Sequence, residues 1–277
     1  MCSRFPELLR PLLACGAMLA ALSAHADPTR ELRVCAEPDN PPYSQRDESG
    51  FENRIARLVA DDMGARLAWF WQEHIRGFVR KTMGSGHCDL FIGVPAGFER
   101  VLTTRPYYRS TYVAVYRSGA RPFTGFDPDA LRGRRIGVQL IGDDLAASPP
   151  GYALARAGAI DNVRGFPLLG DGPAAQRMVD AVASGQLDVA LVWGPQAGWF
   201  AHRATPTLAV APARAPAGLP VPFEYSIAMG VRKGDNALRD RLNEIIERRR
   251  GDIDAILASY SVPTVPMPAP AAKGGQP

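Results

Sequence analysis

Two stretches, Met83-Gly84-Ser85-Gly86-His87-Cys88-Asp89-Leu90 and Ala183-Ser184-Gly185-Gln186-Leu187-Asp188-Val189, repeat one order of parts: a helix end, a glycine, an aspartate and a buried apolar run. The glycine supplies the positive φ that closes a helix C-terminus. The apolar run that follows, Leu90 to Val94 or Val189 to Trp193, has the length of a single buried strand. Upstream of the first stretch the pattern reads as strand Glu31 to Ala36, a turn through Pro38-Asp39-Asn40-Pro41-Pro42-Tyr43, and a helix on Ile55, Leu58, Val59 and Met63 that stops at Gly64. Strand Leu67 to Trp71 and helix Phe78 to Met83 lead into it, and strand Tyr112 to Tyr116 leaves it. Upstream of the second stretch lie strand Ile136 to Leu140, a helix around Tyr152 to Ala157 and an amphipathic helix Ala174 to Ala183. Strands alternating with helices predict an α/β protein with mostly parallel sheets, here built as two similar lobes. Strand Tyr225 to Val231 and a helix on Leu238, Leu242, Ile245 and Ile246 then return the chain to the first lobe. The ligand side of such sheets is at the carboxyl ends of the strands.

The 277 residues, 46% hydrophobic and 22% charged, suffice for two domains of ordinary size. Residues 1 to 26 read as a secretory signal peptide: Arg4 and Arg10, an apolar Pro11 to Leu22, then Ala24-His25-Ala26 as the cleavage site. Cys15 after Leu12-Leu13-Ala14 offers a lipoprotein reading, which the short apolar run before it disfavours. Cleavage after Ala26 leaves 251 residues carrying +3 and only Cys35 and Cys88. The expected division is lobe 1 over 27–114 and 223–262, lobe 2 over 115–222, and a proline-rich disordered tail over 263–277. The net charge of +4 is spread through the chain with no long run of one sign, so nucleic acid is a poor partner. Nor does another stretch approach the ~20 apolar residues of a membrane span.

In an oxidising compartment, Cys35 and Cys88 are expected to pair. With Val34 beside Phe91 in neighbouring parallel strands, Cys88 lies about three residues from the level of Cys35, roughly 10 Å at ~3.3 Å per residue, too far for a bridge. A shifted register allows one. The alternative is two buried thiols.

Taken together, Leu32-Arg33-Val34, Pro41-Pro42-Tyr43-Ser44, Gly50-Phe51-Glu52, Thr104-Arg105-Pro106-Tyr107-Tyr108-Arg109 and Ala228-Met229-Gly230-Val231-Arg232-Lys233-Gly234 resemble the type II periplasmic solute-binding proteins of ABC importers. The resemblance implies a two-lobed periplasmic binding-protein fold with two hinge crossings. Three departures argue against an amino-acid ligand. The family's hydroxyl residues before the carboxylate-gripping arginine are replaced by Gly93-Val94-Pro95-Ala96-Gly97-Phe98, although Arg100 is kept. Ile141-Gly142 stands where Gly-Thr is usual, and Trp193-Gly194 where an aspartate receives the ligand's ammonium. A buried zwitterion needs those groups.

The same departures resemble a narrower group, the J-type components (MxaJ/XoxJ type) that accompany PQQ-dependent methanol dehydrogenases. The segments are Arg76-Gly77-Phe78-Val79-Arg80, Gly93 to Glu99, Thr103 to Val113, and Val192-Trp193-Gly194-Pro195-Gln196-Ala197-Gly198. This likeness implies a periplasmic, non-catalytic accessory without a cofactor of its own. Its implied partners are a PQQ-dependent alcohol dehydrogenase and that enzyme's cytochrome c, and its implied role is maturation or activation. A solute receptor feeding an ABC importer and an exported dehydratase on the same fold are the rival readings.

The residues expected around a ligand or partner cleft are Glu37, Asn40, Tyr43, Arg76, Pro95, Phe98, Arg100, Tyr107, Gln139, Asp143, Trp193 and Gln196. Arg76 stands where solute binders place a stacking aromatic, and its guanidinium plane can stack or pair bidentately. Arg100 either faces the cleft or pairs with Glu99 at the surface. Tyr107 and Tyr108 either line the cleft or brace it. Trp193, at a strand's carboxyl end, is the strongest recognition candidate, and the substitutions predict an enlarged apolar cleft. Catalytic signals are weak. His74, His87 and His202 have no metal-ligand spacing, no glutamate lies between Arg100 and Phe223, and Asp143-Asp144 is the one acidic pair a dehydratase could draw on.

Overall fold

The computed structural model describes residues 31–73, 77–141, 146–168 and 170–267. Strand β1 (Glu31–Ala36) leads through the short hairpin β2 (Asp39–Asn40) and β3 (Ser44–Gln45) into helix α1 (Phe51–Met63). Gly64 takes φ +62° and receives the close of that helix, as the sequence predicts. The edge strand β4 (Arg66–Trp71), the short helix α2 (Phe78–Lys81), a 3-10 turn (Met83–Ser85), β5 (Leu90–Pro95), β6 (Leu102–Thr103) and the ten-residue β7 (Tyr108–Arg117) follow. The second half comprises α3 (Pro128–Leu131), β8 (Ile136–Ile141), β9 (Ala146–Ala147), α4 (Pro149–Arg156), β10 (Val163–Phe166), α5 (Ala174–Ala183), β11 (Val189–Trp193), α6 (Gly194–Arg203) and β12 (Leu208–Pro212). Strand β13 (Glu224–Val231) and helices α7 (Asn236–Arg248) and α8 (Arg250–Ser259) complete the chain.

Apart from the β2-β3 hairpin, the strands join into one sheet whose main path is β10-β8-β11-β7-β13-β5-β1-β4, with β6, β9 and β12 attached beside it. Parallel pairing holds within each half: β1 lies between β4 and β5, and β8 lies between β10 and β11. The middle of the path is antiparallel. Strand β7 belongs to both halves. Its residues 108–111 pair with β13, and its residues 112–117 pair with β11 and β12. Two buried faces back the halves: α1, α7 and α8 cover one with Phe51, Ile55, Val59, Leu242, Ile245 and Leu257, and α5 and α6 cover another with Met178, Val179, Val182 and Ala197.

The repeated sequence stretch is a repeated structure. Asp89 accepts a hydrogen bond from the Arg33 backbone N–H and, through both carboxylate oxygens, from the Arg33 Nε (3.0 Å) and guanidinium (2.7 Å). Asp188 does the same with Arg135, accepting its backbone N–H at 2.9 Å, its Nε at 3.1 Å and its guanidinium at 2.8 Å. Each aspartate returns its own N–H to the carbonyl of its arginine, at 2.8 Å and 2.9 Å. Gly86 and Gly185 hold φ at +76° and +79°, so the two turns share the left-handed glycine as well as the aspartate–arginine pairing. Partly exposed pairs of this kind are worth no more than about 1 kcal/mol each. Their contribution is positional, since each clasp ties the start of one parallel strand to its neighbour.

Cys35 and Cys88 form a disulfide with Cα atoms 5.5 Å apart, and both are buried. The in-register estimate of roughly 10 Å fails for two reasons. Val34 pairs with Leu90 rather than Phe91, and Cys88 precedes β5 in a bend instead of continuing it. The bend brings Cys88 over the sheet face into a cluster with Cys35, Met83, Phe91, Val94 and Val101.

Residues 263–267, placed by composition in a disordered tail, are ordered on β7: the Val265 N–H donates to Arg109 O at 2.9 Å and Ser110 Oγ donates to Pro263 O at 2.6 Å. Proline-rich chain has few N–H donors, and here Val265 pairs its own while the Pro263 and Pro266 carbonyls accept from the side chains of Ser110 and Arg109.

The bridge closes a separation of 53 residues, for which chain-entropy arguments give about 4 kcal/mol. Cys35→Ser, or full reduction, is expected to lower stability by about 2–4 kcal/mol in urea titration. An unchanged unfolding midpoint would show that the bridge is energetically idle.

Candidate functional site

The carboxyl ends of β1, β5, β8 and β11 converge where β7 changes partners, and aromatic side chains fill that junction. Trp193, the last residue of β11, pairs in register with Tyr112 and packs edge-on against it at 5.4 Å and against Tyr225 at 5.7 Å. Tyr112 continues to Phe223 (5.8 Å), and Phe223 to Phe126 (5.6 Å). On the other side, Trp193 packs against the core of the first half and directs its indole N–H to the Tyr43 hydroxyl. Tyr43 in turn contacts Phe51 at 5.2 Å. Such pairs add about 0.5–1.5 kcal/mol each beyond area burial. Trp193 therefore spans the junction, linking β11 to the loop after β1.

Beneath Tyr43 lies an acidic residue that sequence reading did not select. Glu52 sits in the first turn of α1, and its carboxylate lies over Gly93 of β5, where a Cβ would overlap Oε1. Burial pushes the Glu52 pKa from 4.5 up to about 8, and the charge of Glu37 adds to the rise. Tyr107 and Tyr108 border the same carboxylate, and burial raises both phenols well above their ordinary range. Burial likewise raises Tyr43, opposed by the Trp193 N–H. The floor is thus a protonated acid among protonated phenols near neutral pH. Gly93, read in the sequence as a lost hydroxyl, is the space that the carboxylate occupies. Gly50-Phe51-Glu52 carried the available signal, an acid at a helix start. Nothing local tells that this acid turns toward β5.

The other expected residues divide. Glu37 accepts the Asn40 amide at 3.0 Å and lies near Glu52, so Glu37, Asn40 and Tyr43 form one wall. Gln196 is half-buried in the first turn of α6 beside Trp193, and Gln139 is half-buried on β8, opposite Phe166 of β10. Pro95 is exposed at the end of β5, facing Ile227. Arg100 is exposed and makes no hydrogen bond or ion pair among the described residues, so it has no pairing with Glu99. Phe98 is half-buried and packs onto the cluster around the disulfide. One expectation is corrected. Tyr107 is 1% exposed in the main core, its hydroxyl donating to Ile92 O at 3.1 Å, so it braces rather than lines. Arg76 and Asp143, with Asp144, lie outside the described residues.

Among the described residues no group of three or more His, Cys, Asp and Glu side chains is placed to hold a metal. No helix there is long and apolar enough to cross a membrane. The chemistry on offer at the junction is recognition: aromatic edges, a neutral acid, phenol and amide groups.

Because Glu52 binds its proton more tightly folded than unfolded, its stabilising contribution is complete below about pH 4.5 and is lost as pH rises through about 8. Thermal melts at stepped pH should show stability declining across that window by roughly 1–3 kcal/mol, with the decline flattened in Glu52→Gln. Parallel pH profiles for the two proteins would contradict the burial of this carboxyl.

Residues 32–262 match the family model of bacterial extracellular solute-binding proteins, family 3. The chain is 32% identical to the protein MoxJ of Paracoccus denitrificans, over 91% of this chain and 96% of that protein. Among solved structures, the periplasmic binding protein XoxJ from Methylobacterium extorquens AM1 is 34% identical at a TM-score of 0.71, covering 85% of this chain and all of that one. MxaJ from Methlophaga aminisulfidivorans MPT has the same fold at a TM-score of 0.72 and 24% identity, covering 84% of this chain and 100% of that one. The clasped parallel strands, the aromatic junction and these likenesses agree: the chain belongs to the family 3 bacterial extracellular solute-binding proteins, within the group that contains MoxJ and XoxJ.

Proposed function

We propose that this protein is a periplasmic accessory of a PQQ-dependent methanol or alcohol dehydrogenase, recognising the dehydrogenase at its cleft or cleft rim and aiding its maturation or activation. The observation that carries the reading is Trp193. In place of a carboxylate for a solute's ammonium, the carboxyl end of β11 presents an indole tied to Tyr43, Tyr112 and Tyr225. A site filled by its own aromatic side chains suits a partner's apolar segment better than a small zwitterion, whose charges would be left without hydrogen bonds. The likeness to MoxJ over almost the whole chain supports the same reading. So does the buried Cys35–Cys88 bridge, a feature of oxidising compartments. Export through residues 1–26, with cleavage after Ala26, belongs to this proposal. The net charge of +4 makes an acidic docking face on the partner favourable.

The protein, tagged at its C-terminus and expressed in its own host, should recover the quinoprotein dehydrogenase from periplasm. Trp193→Phe, which keeps an aromatic ring but removes the N–H and part of the indole's bulk, should weaken recovery several-fold, and a deletion strain should lose dehydrogenase activity. Recovery of no dehydrogenase, together with normal activity in the deletion strain, would remove the proposal. A rise in melting temperature with a single small solute would favour the importer reading instead.

A further inference from the structure

We infer that residues 260–267 are a strap that locks the two lobes in one relative setting, so that the cleft is a standing surface and does not close over a ligand. The strap begins where α8 ends. Ser261 adopts φ +55°, the Ser261 N–H donates to Ala258 O at 2.9 Å and the Val262 N–H to Leu257 O at 3.1 Å. This pair of bonds is the left-handed helix termination usually assigned to glycine, here held by a serine. It turns the chain away from α8 and across α6, on the other half of the molecule.

The crossing is tight because α6 carries glycines one turn apart. A Cβ on Gly198 would overlap the Ser261 carbonyl oxygen and approach Pro263 at 3.1 Å, and a Cβ on Gly194 would meet Ser110 Oγ at 2.6 Å. The strap then joins β7 at Arg109 and Ser110, within the four residues that pair with β13 before the strand changes partners. Ser110 Oγ donates to Pro263 O at 2.6 Å, the Val265 N–H donates to Arg109 O at 2.9 Å and the Arg109 guanidinium donates to Pro266 O at 3.2 Å. Arg109 and Ser110 pair with Ser226 and Tyr225 of β13, whereas Tyr112 and Val113 already pair with β11. The bend of a two-lobed hinge has to fall between these points, and the strap holds both sides of it.

Tyr260 anchors the outer end. Its ring stacks on Trp199 of α6 at 5.0 Å and 19°, and its hydroxyl donates to Ser49 O in the loop before α1. Arg203 caps the other face of Trp199, 3.1 Å from the ring centroid. Opening the lobes would pull the Trp199–Tyr260 stack and the Gly198–Ser261 contact apart together, while on the cleft side Trp193 would leave Tyr43. A hinge so tied on both sides has no low-cost coordinate for the large motion of hinge closure.

Single-molecule energy transfer on the full chain tests this, with dyes at the exposed positions Lys81 and Ile160, one in each lobe. The intact protein should give one narrow distance distribution, unmoved by a panel of the twenty amino acids at millimolar concentration. Two variants report on the strap. Gly198→Val displaces Ser261, and Ser110→Ala removes only the hydroxyl that holds Pro263; both should broaden the distribution, the first more than the second. Two exchanging populations in the intact protein would overturn the inference whether or not the variants fold. A distribution that stays narrow in folded Ser110→Ala and Gly198→Val would also overturn it. Neither result depends on recovery of a dehydrogenase.

Discussion

Strand β7 is the constraint on which the rest of the structure depends. A single ten-residue strand pairs with β13 through its first four residues and with β11 and β12 through the remainder. The two lobes are therefore not separate bodies on a linker but two parallel sheets hydrogen-bonded to one backbone. Where β7 changes partners, the carboxyl ends of parallel strands from both halves meet. The aromatic junction, the buried acid and the C-terminal strap are all placed by that change of partner.

The junction's chemistry follows from substitutions that act in compensation. Gly93 removes a side chain from β5, and the Glu52 carboxyl moves into the space. Burial and the nearby Glu37 charge hold the acid protonated, which spares the site a buried charge. Trp193 supplies the mass that a ligand would otherwise bring, and Tyr43 supplies an acceptor for its N–H, since indole can only donate. The result is a junction rich in aromatic rings and poor in charge.

Much of the architecture was legible because it repeats. The Gly-Asp-strand stretches identified both lobes, and the same stretches proved to form the same arginine clasp. Helix α5 and strand β11 begin and end where periodicity put them. Helix α6 was not legible: Gly194, Pro195 and Gly198 are poor helix formers, and both glycines stand where a Cβ would overlap Ser110 or Ser261. Helix α8 escaped because Arg250-Gly251 looks like a break after α7. Strand β12 is short and alanine-rich beside prolines, and its pairing with β7 rests on tertiary register alone. At the junction, the place of Trp193 at the carboxyl end of its strand was legible, as was the turn after β1 that carries Asn40 and Tyr43. Glu52 was not, because its position over Gly93 depends on a residue distant in sequence. The burial of Tyr107 was not legible either, because the facing direction of a residue just before a strand has no periodicity to fix it.

If the aromatic junction is a recognition surface for a protein and not a solute pocket, a bound partner must shield its backbone. Hydrogen–deuterium exchange of the purified chain, alone and with the quinoprotein dehydrogenase of its host, reads that shielding. Slowed exchange concentrated in residues 37–45 and 193–199 on adding the dehydrogenase is the predicted result. Unchanged exchange in those segments with the dehydrogenase, or the same protection produced by a free amino acid, would contradict it.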